Sequence, residues 1–258
     1  MRVVGWNIRA GGGRRVEAIA RQVQAWDTDV LVCLEARGTV PGLGLAQHLA
    51  EGGLVHQRTT VDPRSPAINA VFIASRWPLT PVRLRLGPAE PRRWLPVRVL
   101  VPEAAGGPFA LGGLHVPNFV PDRARKFAYL DALHALARRW RGGPAMLIGD
   151  TNTGRAGLDE ESPVFDARHD AWMVAMARAG WPDIFRERYP QAREFTWYSP
   201  NAGNGFRLDQ AFVNRALQPR VVGVRHEWGR DAGDARRDAL SDHAALIVDL
   251  VPARGRDA

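Results

Sequence analysis

Hydrophobic and polar positions alternate between two periods along the chain. The run from Arg2 to Ile8 is apolar and β-branched, and Gly11-Gly12-Gly13 breaks it. Val16, Ile19, Ala20, Val23 and Trp26 follow at the spacing of one helix face. Asp29 to Glu35 (DVLVCLE) is a continuous apolar run ending in a carboxylate, so the chain opens as strand, helix, strand. From about Leu54 to Val116 it is strand-rich. Strands are predicted at Val55–Thr60, Ala70–Ser75, Val82–Leu86, Trp94–Val101 and Phe109–Val116, punctuated by Pro and Gly clusters. A second one-sided helix carries Phe127, Leu130, His134, Ala137 and Trp140. It leads to a short buried strand, Ala145–Ile148, that ends at Gly149-Asp150. A helical region at Asp166–Gly180 precedes strands at Phe195–Tyr198, Leu208–Val213, Val221–His226 and Ala244–Leu250.

Strands outnumber helices, and a helix with one apolar face must cover a sheet. Two sheets, each covered by helices, satisfy that pattern in four layers. No linker, low-complexity segment or repeat interrupts the chain, which reads as one domain over residues 1–252 with a polar, frayed tail at 253–258. Its 258 residues, 45% of them hydrophobic, suffice for a sizeable core.

Charge adds a direction. The formal net charge is +8, and Lys126 is the only lysine among 35 basic residues. A GC-rich coding bias accounts for the preponderance of arginine but not for the positive excess. A basic surface suits a polyanion, because each neutralised phosphate releases counterions; it also suits an anionic membrane surface. Cys33 is the only cysteine, which excludes an internal disulfide and a cysteine-based zinc site. The opening residues have too short an apolar run for a signal peptide, and no stretch approaches a membrane span. A soluble cytoplasmic protein, without a membrane or an obligate protein partner, is the expectation.

Polar residues recur where apolar strands end: Asn7, Glu35, His115, Asp150 with Asn152, Asp209, and Asp242-His243. Each has an ordinary explanation alone. Asn7 is a turn former, Glu35 a cap, GDTNTG a turn and SDH an N-cap. Their joint occurrence at strand termini is what these explanations leave over, because strand ends meet at the rim of a sheet.

The segments GWNIR, LVCLE, HVPN, IGDTN, FRLDQAFV and SDHAAL, with GWPDIFRERYP and FTWYSPNAGNG between them, resemble the exonuclease III and abasic-site endonuclease branch of the endonuclease/exonuclease/phosphatase superfamily. The resemblance runs from Met1 to about Leu250. It implies an α/β (α+β) fold like that of DNase I, a four-layer αββα sandwich of two mainly antiparallel or mixed sheets flanked by helices.

The resemblance also implies Mg²⁺-dependent hydrolysis of DNA phosphodiesters, with Mn²⁺ as a substitute. A divalent cation neutralises a non-bridging oxygen and stabilises the leaving oxyanion. Glu35 is the implied ligand, supported by Asn7, with Asp242 on the same side or at a second ion position. His243 would contact the phosphate with Asp209 on its other ring nitrogen. Asp150 would orient or deprotonate the attacking water, and Asn152 would fix Asp150 and the phosphate. Either Asp150 or the His243–Asp209 pair serves as the base. Two departures stand out. His115 occupies a place where the branch usually has tyrosine, and its charge is expected to vary near neutral pH. Arg9 replaces an Asp or Asn and removes a carboxylate from the metal's surroundings.

For DNA, Phe195, Phe206 and Leu208 match positions of an abasic-sugar pocket, or else pack in the core. Asn118 and Arg123 are candidate backbone contacts. The expected activity is abasic-site endonuclease and/or 3′-5′ exonuclease in DNA repair, on duplex DNA with damage or a 3′ end. The alternatives are a superfamily phosphodiesterase or phosphatase acting on a 5′-tyrosyl DNA end, RNA or a phospholipid head group, and a catalytically inactive DNA-binding protein.

Overall fold

The computed structural model describes residues 1–229 and 240–251. The tail expected at 253–258 lies outside them. Strand β1 (Arg2–Asn7) is buried from Val3 to Asn7. Burial on both faces marks a strand covered on two sides rather than a half-wet one. Val3 faces one apolar cluster, whereas Val4 and Trp6 face another. The same alternation divides β2 (Val30–Ala36): Val30, Val32 and Leu34 point one way, Leu31 and Cys33 the other.

One sheet contains β1, β2, β3 (His56–Thr59), β4 (Ala70–Ser75), β12 (Val221–Glu227) and β13 (Ala245–Leu250), in the order β12-β13-β1-β2-β4-β3. The other contains β5 (Leu79–Pro81), β6 (Trp94–Val99), β7 (Phe109–His115), β8 (Ala145–Asp150) and β11 (Asp209–Val213), in the order β11-β8-β7-β6-β5. A hairpin of β9 (Trp197–Tyr198) and β10 (Gly205–Phe206) stands apart. Helices α1 (Val16–Ala25) and α2 (Val40–Glu51) cover the first sheet through the cluster holding Trp6, Ile19, Val23, Leu45 and Leu49. Helices α3 (Arg123–Arg139) and α4 (Ala167–Arg178) cover the second through Leu130, Leu133, Trp172 and Met176. A short helix, α5 (Ile184–Arg188), packs Ile184 and Phe185 into the central core. The four layers are those expected.

Glycine lets the two sheets approach at Gly5. A Cβ on Gly5 would lie 2.8 Å from Ile148, so β1 and β8 need a residue without a side chain there. The apolar core between the sheets includes Val32, Leu34, Ile73, Met146, Ile148 and Val248. Each such side chain contributes roughly 1.5–3 kcal/mol when fully buried.

Four expectations change. The strand at Val82–Leu86 is not formed; β5 lies upstream at Leu79–Pro81. The Val82 amide donates to the Pro96 carbonyl at 3.3 Å, but Pro96 has no N–H to return, and the ladder ends. Helix α2 was not expected, because Gly42 and Gly44 weaken a helix and only Leu45 and Leu49 are buried. Gly42 is required by packing: a Cβ there would stand 1.9 Å from the Arg37 carbonyl oxygen. The strand predicted at Phe195–Tyr198 shortens to Trp197–Tyr198, and α5 was not foreseen.

Candidate active site

Parallel and antiparallel pairing together gather the strand-end residues. β1 runs parallel to β2, and β7 parallel to β8, so their C-terminal ends share one rim. That rim holds Asn7, Glu35, His115 and Asp150. β13 is antiparallel to β1 and β11 is antiparallel to β8, so their beginnings reach the same edge. His243 precedes β13, and Asp209 opens β11. Within the second sheet His115 and Asp209 both register with Asp150, one on each side.

Asp150 is the hub, only 2% exposed. Its Oδ2 accepts from Asn7 Nδ2 at 3.2 Å and lies 3.7 Å from His115 Nε2 and 4.0 Å from His243 Nε2. Its Oδ1 accepts the Asn152 backbone amide at 2.9 Å. Burial pushes the Asp150 carboxyl up to about 7; His243 opposes the rise, and the Asp209 carboxylate adds to it. His243 is buried, and its Nδ1 lies 2.9 Å from Asp209 Oδ2. Burial disfavours its charge, but Asp209 and then Asp150 outweigh that and hold it raised to about 9. Trp6 Nε1 donates to the His243 carbonyl at 3.0 Å, and Ser241 Oγ to the Asn7 carbonyl at 2.5 Å.

Glu35 is half-buried and sits at an irregularity of β2 where the register shifts between Leu34 and Ala36. Its φ of 57° is left-handed, a strained conformation for a residue with a side chain. Such a bulge re-aims a side chain at the rim. The Ala10 amide donates to Oε2 at 2.7 Å, while Oε1 has a 3.5 Å contact from Asn7 Nδ2. Asn7 Oδ1 accepts the Arg9 amide at 3.0 Å, so Asn7 braces Glu35 and Asp150 through its nitrogen. Asp242 is partly exposed and lies 3.9 Å from Arg9 Nε, which gives the unusual arginine a partner at the rim.

These oxygens suit a hard cation. Among the described residues no three His, Cys, Asp or Glu side chains form a metal cage. Mg²⁺ does not require one, since it keeps several waters and takes one or two carboxylates. Glu35 offers an oxygen with one long contact beside a buried second carboxylate, and the residues present fit such an ion.

His115 departs from the expectation of a charge varying near neutrality. Its side chain is buried, and burial, then the Arg93 guanidinium, then His243 hold its pKa well below the ordinary value. Its neutral form is therefore the favoured one near neutral pH.

Asn152 also has a left-handed φ, of 47°. Its Nδ2 donates to the Val116 carbonyl at 2.8 Å, leaving a second N–H to donate. Lys126 Nζ donates to the Asn152 carbonyl oxygen. Burial lowers the Lys126 ammonium to about 8, against the pull of Asp150 and Asp166.

The remaining candidates separate. Phe206 and Leu208 are buried in a small cluster with Phe165, with Trp197 packed against it and its ring 6.3 Å from that of His243. Phe195 lies outside that cluster, against Tyr198. Asn118 is exposed beyond the end of β7. Arg123 is exposed, pairs with Asp166 at 2.7 Å and stands 5.1 Å over the Phe119 ring.

Several contributors were not foreseen. Thr196 Oγ1 accepts both the Leu208 and Asp209 amides, at 2.9 and 3.2 Å, and so fixes the start of β11. Arg207, fully buried between Phe206 and Leu208, binds Asp159 at 2.8 Å and Asp183 at 2.5 Å and ties the segment after Asn152 to β11. Both lie in the family-like segments FTWYSPNAGNG and FRLDQAFV, but nothing in the sequence singles out these two residues. Lys126 does stand out, as the sole lysine.

No curated protein matches the sequence. Among solved structures, the fold is similar to a 3′-5′ exonuclease (NExo) from Neisseria meningitidis, at a TM-score of 0.73 and 21% identity over 97% of this chain and all of that one. It is also similar to a 3′ phosphatase, NExo from Neisseria bound to a product DNA hairpin, at 0.75 and 21% identity over 97% of this chain and 99% of the other. An AP endonuclease from Archaeoglobus fulgidus matches at 0.76 and 19% identity, over 97% of this chain and 99% of the other. The family model described as endonuclease/exonuclease/phosphatase matches residues 4–243, and it is to this family that the chain belongs.

Proposed function

We propose that this chain is a single-domain, divalent-metal-dependent phosphodiesterase that cleaves DNA, as an abasic-site endonuclease and/or 3′-5′ exonuclease. The observation that carries the reading is Asp150, buried among Asn7, His115, His243 and the Asn152 amide. The positive charge and the DNA hairpin in a structural neighbour support DNA as the substrate.

The roles follow from opposed environments. A carboxyl at about 7 and an imidazole at about 9 place a carboxylate and an imidazolium side by side between those values. Asp150 takes the proton of the attacking water, and Asn152 fixes its Oδ1. Imidazolium His243, oriented by Asp209, donates to a phosphate oxygen. Neutral His115 and the free N–H of Asn152 are further donors to the anion. Mg²⁺ held by Glu35, with Mn²⁺ able to replace it, would neutralise a phosphate oxygen and the leaving oxyanion.

The test is turnover of an abasic duplex, a duplex 3′ end, single-stranded DNA, RNA and a lipid head-group phosphodiester, each with Mg²⁺ and with chelator. Mg²⁺-dependent cleavage of the duplex substrates is expected. Preference for RNA or the lipid ester would replace DNA as the substrate. Absence of all turnover would favour a binding protein.

A further inference from the structure

The chain carries 35 basic residues, and all but Lys126 are arginine. That single lysine is 2% exposed, on the first turn of α3. Its Nζ donates to the backbone carbonyl of Asn152 and lies 5.6 Å from the centre of the Phe119 ring. Asn152 follows β8, and its backbone is left-handed, a conformation asparagine tolerates only at some cost. The same residue sends its amide to Asp150 Oδ1 and its side chain to the Val116 carbonyl. Its peptide groups are therefore tethered at both ends, one to the hub carboxylate and the other to an ammonium.

An arginine would not serve this place equally well. A guanidinium is a broad planar fork, whereas an ammonium is a compact charge on a thin stem. Phe119, before α3, and Phe127, within it, meet edge to face next to Lys126, with centres 6.4 Å apart. The cost of burying an ammonium is offset only where it holds something specific.

We infer that Lys126 is a positioning residue for the hydrolytic site: its ammonium, seated on the Asn152 carbonyl, holds the left-handed turn that aims Asp150 and Asn152 at the phosphate. This rests on the roles given above to Asp150 and Asn152. Lys126 touches no reacting atom and acts through the turn.

The test uses Lys126→Met, which keeps the stem and removes the donor, and Lys126→Gln, which keeps a shorter donor. Two measurements are made on the full chain. The first is amide hydrogen exchange of residues 150–154, compared with 145–149. The second is kcat and KM on the best substrate of the panel, with Asp150→Asn as the reference for a lost base. Lys126→Met is expected to raise exchange at least tenfold at 151–153 while 145–149 are unchanged. It should lower kcat at least tenfold with KM within twofold, and Lys126→Gln should lose less. A folded Lys126→Met with wild-type exchange overturns the proposal, as does one with wild-type kcat. If the wild type and Asp150→Asn are equally inactive on every substrate, the hydrolytic reading fails, whereas the exchange arm still decides whether Lys126 holds the turn.

Discussion

Asp209 Oδ2 lies 2.9 Å from Nδ1 of His243, and both side chains are buried at the meeting of the two sheets. The carboxylate fixes the ring so that Nε2 faces Asp150, 4.0 Å away. It also keeps the ring charged when burial alone would not.

The pH dependence follows with a definite sign. Asp150 works deprotonated, so kcat/KM rises with pH through about 7. His243 works protonated, so kcat/KM falls as pH rises through about 9. Asp209→Asn removes the charge that raises His243 and should move the alkaline limb down by more than one pH unit. An unmoved alkaline limb in Asp209→Asn would assign that limb to another group.

The raised His243 is also a stability term. Its folded value exceeds that of the unfolded chain, so the contribution is complete below about 6.5 and is lost as pH rises through about 9. The loss is on the order of 3 kcal/mol at about 1.4 kcal/mol per pH unit. Urea unfolding of chelator-treated protein at pH 6 and pH 9.5 should show the drop, and His243→Asn should flatten it. Equal pH dependence in both proteins would trace the drop elsewhere.

Glu35→Gln should raise the Mg²⁺ concentration for half-maximal activity at least tenfold, because an ion held mainly by one carboxylate loses its principal ligand. Calorimetric Mg²⁺ binding should weaken in parallel, with the melting temperature within a few degrees. Wild-type Mg²⁺ affinity in this variant would move the ion to another carboxylate, Asp242 or Asp150.

His115→Tyr should retain activity and leave the normalised pH profile superimposable on that of the wild type. The buried imidazole is already neutral, and a phenol stays neutral to about pH 10. An acid limb that moves with the substitution would show that His115 titrates in the working range.

Asp159→Asn should destabilise the fold by about 3–5 kcal/mol, since it leaves Arg207 buried with part of its compensation removed. Equilibrium urea unfolding measures this. A change below about 1 kcal/mol would mean that Asp183 and Arg207 suffice as a pair.

The rim of the site was legible because its residues are polar types set at the ends of apolar runs, a pattern that strand pairing alone converts into proximity. Asn7, Glu35, His115, Asp150, Asp209 and His243 all stand where that pattern put them. What holds them was not legible. Thr196 and Arg207 act through contacts with segments distant in sequence, and neither lies in a periodic pattern. The low pKa of His115 comes first from its burial and then from Arg93, 22 residues away and brought alongside by the β6–β7 pairing. Helix α2 escaped because two of its positions are glycines, one of them dictated by the Arg37 carbonyl rather than by helix propensity.

His115, Asp150 and Asp209 occupy matched positions on three adjacent strands. Side chains along a strand alternate between faces, so a one-residue slip would turn a member of the row to the opposite side. The distance from Phe109 to His115, or from Ala145 to Asp150, is thus a fixed ruler. Single-residue insertions and deletions within these strands should extinguish the site even where every polar residue survives. Beyond the tethered turn at Asn152, the connecting loops lie outside this ruler, and they are where new substrate preferences can be grafted without resetting the chemistry beneath.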